Sequence, residues 1–105
     1  MATPRKGQRV RGSRTGRPIM VLLDALGRRW ALRVLWELRG AALTFRALQA
    51  ACGGVSPSVL AARLRELTEL RLVELGDDGY RLTDEGRSLE AVLRPLDAWA
   101  TRWAR

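Results

Sequence analysis

The chain has no histidine and a single cysteine, Cys52, among its 105 residues. A structural zinc site draws its ligands mainly from cysteine and histidine, so that class is excluded. One thiol cannot close an internal disulfide, and the default compartment is a reducing cytoplasm. Without histidine the commonest general base is missing as well. No nucleophile stands beside a base, and Gly53-Gly54 reads as a turn, not a phosphate-cradling loop. The acids sit one by one on exposed faces. Neither catalysis nor a cofactor is expected. No apolar run approaches the roughly 20 residues of a membrane span. The basic start is not followed by an apolar segment, so no secretory signal is expected either. Acidic residues are also scarce, at 11 against 19 basic ones, for a net charge of +8.

That excess is concentrated at one end. Residues 1 to 17 hold Arg5, Lys6, Arg9, Arg11, Arg14 and Arg17 and no acid, a charge of +6, which leaves +2 for the rest. The segment is rich in Gly, Ser, Thr and Pro and is expected to be disordered alone. A polycation of this kind binds phosphate backbones by releasing counterions, with little sequence preference. The plainer alternative is a solubilising start segment with no role. Residues 18 to 105 then form one domain with one core, since the chain is the length of a single domain.

Hydrophobic spacing divides this domain into about five helices and a short hairpin. Ile19, Leu22, Leu23 and Leu26 recur at helical spacing behind Pro18, which suits a first turn. Gly27 interrupts, and a second helix is expected over Trp30 to Arg39, stopped by Gly40. Its apolar residues lie nearly all round, so it is expected to be the central, most buried one. Leu43 and Thr44 suggest a very short strand. Phe45 to Ala51 is a third helix with Thr44 as its cap. Gly53 and Gly54 permit a sharp turn, after which Ser56 and Pro57 form a strong helix start. In this fourth helix Leu60, Leu64 and Leu67 make a buried stripe, with Ser58, Ala62, Arg65 and Glu69 opposite it. Leu72 to Leu75 and Tyr80 to Leu82 read as two strands around Asp77-Asp78-Gly79. Thr83 caps a last helix from Asp84 to Arg105, with Asp84 and Glu85 at its positive end and Pro95 expected to bend it.

Phe45 to Leu72 is therefore a short helix, a glycine turn and a longer capped helix, the layout that sets one helix into the DNA major groove. The hairpin after it makes the unit a winged helix-turn-helix. The run GRRWALRVLWEL, then LTFRALQ, GGVSPSVLAARLREL, LVEL and YRLTDEGRSLEAVLRPLDAWA resembles the HxlR-type winged helix-turn-helix regulators over about residues 18 to 103. The resemblance implies a mainly α fold and a small dimeric bacterial transcription factor that binds double-stranded DNA. Departures are visible. Ser58, Ala61 and Ala62 stand where the family tends to carry polar or basic side chains, and Ala47 replaces a common glutamate. Arg17-Pro18-Ile19 occupies the place of a frequent redox-sensing cysteine, and Cys52 falls at a core leucine position. A small-molecule or redox effector is thus left open.

The candidate DNA-binding residues are Arg46, Ser56, Ser58, Ala61, Ala62, Arg65 and Arg81. Ser58 can hydrogen-bond a base or phosphate, while Ala61 and Ala62 offer only contact with thymine methyls. Arg46 and Arg65 are expected on phosphates, and the amides around Ser56 to Ser58 could clamp one. Arg63 flanks the buried stripe and reads as a structural ion-pair partner of Glu37 or Glu66. The acidic wing tip at Asp77 and Asp78 would repel a backbone; either Arg81 reaches DNA beside it or the hairpin only closes the core. Leu89, Val92, Leu96, Trp99 and Trp103, with Ile19 and Leu23, form more apolar surface than so small a body covers, which marks a homodimer interface. A twofold pair would present its reading helices about 34–36 Å apart, matching a palindromic promoter site, and repress by covering it. Two rivals keep the fold: a winged-helix module for protein partners, and an architectural DNA binder without a defined operator. Cys52 reads as a small buried hydrophobe.

Overall fold

A computed structural model describes residues 17–105. The basic cluster from Arg5 to Arg14 lies outside the described residues. The elements run α1 (Pro18–Leu26), α2 (Ala31–Glu37), α3 (Phe45–Cys52), α4 (Pro57–Glu69), β1 (Val73–Gly76), β2 (Gly79–Leu82) and α5 (Asp84–Trp103). This is a winged helix-turn-helix: a mainly helical domain with one two-stranded wing.

Three helices begin as their caps dictate. The hydroxyls of Thr44, Ser56 and Thr83 accept the N–H groups of Ala47, Val59 and Gly86, each three residues on. Each cap contributes about 1 kcal/mol by satisfying a donor that the helix itself leaves free. Pro18 and Pro57 take first-turn positions, where a missing N–H loses nothing. α3 ends at Gly53, whose φ of 63° is left-handed.

Two helix boundaries differ from the sequence reading. Trp30 is not inside α2 but precedes it at a φ of 78°. A left-handed tryptophan costs roughly 1–2 kcal/mol. Its ring repays this by packing on the core, with the Arg29 guanidinium 5.4 Å from the ring centre. α2 also stops at Glu37, two residues before Arg39, whose guanidinium instead donates to the Trp36 carbonyl at 2.9 Å. α4 ends without a glycine. Arg71 takes a φ of 63°, and the Arg71 and Leu72 amides return to the Thr68 and Leu67 carbonyls at 2.9 and 3.0 Å. That is a Schellman ending with an arginine in the glycine place.

The core joins α2, α3, α4 and the hairpin. Val34, Leu48, Leu60, Leu67, Val73 and Leu82 are fully enclosed, each worth about 1.5–3 kcal/mol against exposure. α2 is central, as expected, but not buried all round: Leu32 and Trp36 are 43% and 37% exposed. The reason is that α5 diverges from the body beside them. In the wing, Val73 pairs with Leu82 and Gly76 with Gly79, leaving Asp77-Asp78 as a two-residue turn. Leu43 adds a single bridge to Tyr80, with bonds of 2.9 and 2.8 Å. Gly79 has to be glycine, because a β-carbon would strike the Leu43 carbonyl.

α5 is anchored at its start. Thr83 Oγ1 donates to the Arg71 carbonyl and its N–H to that of Leu72. A β-carbon on Gly86 would collide with the same Leu72 carbonyl. The helix then runs on through Pro95 to Trp103, two residues short of the expected end. None of the helices among the described residues is long and apolar enough to cross a membrane.

Candidate nucleic-acid interface

The outward side of α4 follows from its inward side. Leu60, Leu64 and Leu67 are buried against the core, so positions about half a turn away must face out. Ser58, Ala61 and Arg65 are exposed, while Ala62 and Glu69 are half-buried at the edge of the face. Arg46, in the first turn of α3, is exposed on the preceding helix. Neither Arg46 nor Arg65 forms an ion pair among the described residues. Both guanidiniums are therefore available to an anion.

Ser56 does a different job from Ser58. Its hydroxyl accepts the Val59 N–H at 3.3 Å and lies 3.4 Å from Ser58 Oγ. One of its acceptor sites is thus given to the helix, and it shares a further hydrogen bond with the Ser58 hydroxyl. Pro57 has no N–H and that of Val59 is capped, so the amides of this start without a partner among the described residues are those of Ser56 and Ser58. Arg63 belongs to the scaffold. It binds both carboxylate oxygens of Glu66, which also holds Arg28 at 3.4 Å. Of the two partners expected for Arg63, Glu66 is the one found. Glu37 pairs with Arg33 at 2.8 Å instead.

Arg81 stands apart from the other candidates. Its guanidinium meets Glu74 across the hairpin at 2.8 Å and lies against Gly76. The Glu74 carboxylate raises its pKa further, with Asp77 and Asp78 adding to the effect. The wing thus carries three carboxylates to one guanidinium, and that guanidinium is engaged. The pairing was available from sequence, since a two-residue turn at Asp77-Asp78 puts Glu74 opposite Arg81.

The residues proposed for a subunit interface fall on two exposed flanks. Val92 and Trp103 are each 72% exposed, and Leu96 and Trp99 about half. Trp99 and Trp103 stack with ring centres 5.6 Å apart. Ile19 and Leu23 are exposed on α1. Leu89 differs from the rest, being half-buried and packed on the core. Cys52 is 2% exposed, and burial pushes its thiol pKa up.

A capped, outward helix after a glycine turn, followed by a wing, defines a DNA-binding helix-turn-helix protein of the transcription-regulator type. The model of the HxlR-like helix-turn-helix family matches residues 25–105, and the chain belongs to that family. It is 34% identical to the HTH-type transcriptional regulator YvaP of Bacillus subtilis, over 77% of this chain and 82% of that protein. It is 31% identical to the HTH-type transcriptional regulator YodB of the same organism, over 74% and 76% of the two chains. The crystal structure of quinone-bound YodB superposes with a TM-score of 0.73 at 30% identity, covering 80% of this chain and 96% of that one.

Proposed function

We propose that the protein is a homodimer that binds palindromic promoter DNA and represses transcription by covering it. The observation that carries this reading is the outward face of α4, Ser58 to Arg65, with Arg46 beside it and no acid pairing either arginine among the described residues. Ser58, Ala61 and Ala62 would meet the major groove, Arg46 and Arg65 its phosphates, and Ser56 would act chiefly by holding the helix start. The tail from residue 1 to 17 would add sequence-independent attraction. Twofold pairing through Ile19, Leu23, Val92, Leu96, Trp99 and Trp103 would bury surface that a monomer leaves in water. Arg81 is the weakest member of the set, because Glu74 already holds it.

A thiol-based signal finds no support in this chain. YodB has been solved reduced, diamide-treated and quinone-bound. Here the one thiol is buried with a raised pKa, the reverse of what a reactive cysteine needs.

The test is a binding titration at fixed salt against the DNA upstream of its own gene, with random DNA as competitor. Preference for the upstream DNA with a symmetric footprint is expected. Even protection of any DNA would mean an architectural role, and no binding at all would mean a module for protein partners.

A further inference from the structure

Between α2 and α5 lies a cleft of about 250 Å³ that the DNA-binding proposal does not use. Leu32, Leu35 and Trp36 form one wall, and Leu89, Leu93 and Ala100 the other, with Gly86 at the closed end. The cleft exists because α5 is pinned at Gly86 and Thr83 and then runs free of the body, while Ala100 is too small to close the gap. It adjoins the flank assigned to the second subunit and shares Leu96 with it, but its centre is turned away from that flank. On a wheel of about 100° per residue, Leu89, Leu93 and Ala100 centre about 80° from Val92, Trp99 and Trp103. One helix thus carries an apolar edge and, turned partly away from it, one wall of a concave site, with Leu96 between the two.

We infer that this cleft is a binding site for a small uncharged ring compound bearing one hydrogen-bond donor. The apolar walls select a ring. The volume, just under the usual range of about 300–1,000 Å³ for ligand pockets, suits one or two fused rings. The rim selects the charge. Glu90 and Arg94 are closed on each other through bonds of 3.0 and 2.8 Å. Asp97, the other rim carboxylate, has no ion pair or side-chain hydrogen bond among the described residues. It accepts a donor and repels an anion. The position also gives the site leverage. α2 packs on α3 and α4, so a ligand wedged between α2 and α5 sits between the reading helices and the helix proposed to pair the subunits.

The experiment is equilibrium dialysis of the full chain with 2-naphthol, two fused rings carrying one hydroxyl. Saturable binding of one molecule per chain is expected. Leu93→Trp, which fills the cleft, should weaken it at least tenfold, and Ala100→Leu should do the same should the first variant fail to fold. Naphthalene-2-carboxylate should bind at least tenfold more weakly than naphthol, and Asp97→Asn should narrow that gap. Absence of saturable binding, equal binding by the filled variants, or equal binding of the carboxylate would overturn the inference. So would binding that appears only in a Trp103→Asp monomer, since the second subunit would then fill the cleft. DNA titration of the same samples separates the two proposals: naphthol binding without DNA binding sinks only the regulator reading, and the converse sinks only the site.

Discussion

Arg65→Ala isolates the electrostatic part of DNA binding. Arg65 is exposed and makes no ion pair among the described residues, so removing it orphans no partner. Stability should change by no more than about 0.5 kcal/mol, as for other surface positions without a partner. Each phosphate contact contributes about 0.9 to the slope of log affinity against log salt, so a dimer losing two should flatten it by about 1.8. Between 50 and 200 mM salt that difference amounts to roughly 12-fold: the variant's deficit should shrink by about that factor as the salt is raised. Fluorescence anisotropy on upstream and random duplexes, at three or more salt concentrations, measures it. The loss should be similar on both duplexes, because phosphates carry no sequence. Arg63→Ala is the contrasting control. It breaks a half-buried pair with Glu66 and should cost about 1 kcal/mol in denaturant melts with the salt slope intact. An unchanged slope for Arg65→Ala would remove that residue from the DNA surface and refute the orientation assigned to α4.

Three further outcomes are expected. Trp103→Asp puts a charge into the proposed apolar seam and should give monomers by light scattering; dimers would show that the seam lies elsewhere. Cys52 should resist Ellman's reagent at pH 7.5 until the chain unfolds, and because burial raises its folded pKa, stability should fall as pH climbs above the unfolded thiol's value of about 8.5; rapid labelling of the native protein would contradict that burial. Deleting residues 1 to 17 should lower DNA affinity chiefly at low salt, and equal affinity before and after would make the segment a bystander.

What the sequence made legible was whatever depends on local chemistry. Ser56-Pro57 announced the start of α4 because a hydroxyl acceptor before a proline is good for little else. Leu60, Leu64 and Leu67 announced its buried side by spacing alone. What stayed hidden depends on partners far along the chain. Trp30 and Arg71 occupy left-handed conformations that glycine normally marks: the Trp30 ring packs on the core, and Arg71 closes the helix end through amide bonds that its side chain does not announce. Leu32 and Trp36 looked like core because their helix is apolar all round. Whether they are covered depends on how α5 leaves the hairpin, where Gly86 lies so close to the Leu72 carbonyl that a β-carbon would not fit. The engagement of Arg81 by Glu74 was, by contrast, legible from hairpin register, although a contact surface judged by composition alone counts that arginine as free.

The makeup of the α4 face constrains how the proposed repressor could be specific. Ala61 and Ala62 form no hydrogen bonds to base edges, and neither arginine lies in the first turn of the helix. Good bidentate contacts supply about 1–3 kcal/mol of discrimination each, and this face has no such contact early in the helix. A single copy would then bind by charge and shape, with little preference among sequences. Two copies held by rigid apolar helices add their small preferences and impose a fixed spacing, which random DNA satisfies only by chance. On this reading α5 is as much a specificity element as α4. Changes that alter the angle between α2 and α5, far from any base, should therefore reduce the preference for upstream over random DNA more than they reduce affinity itself.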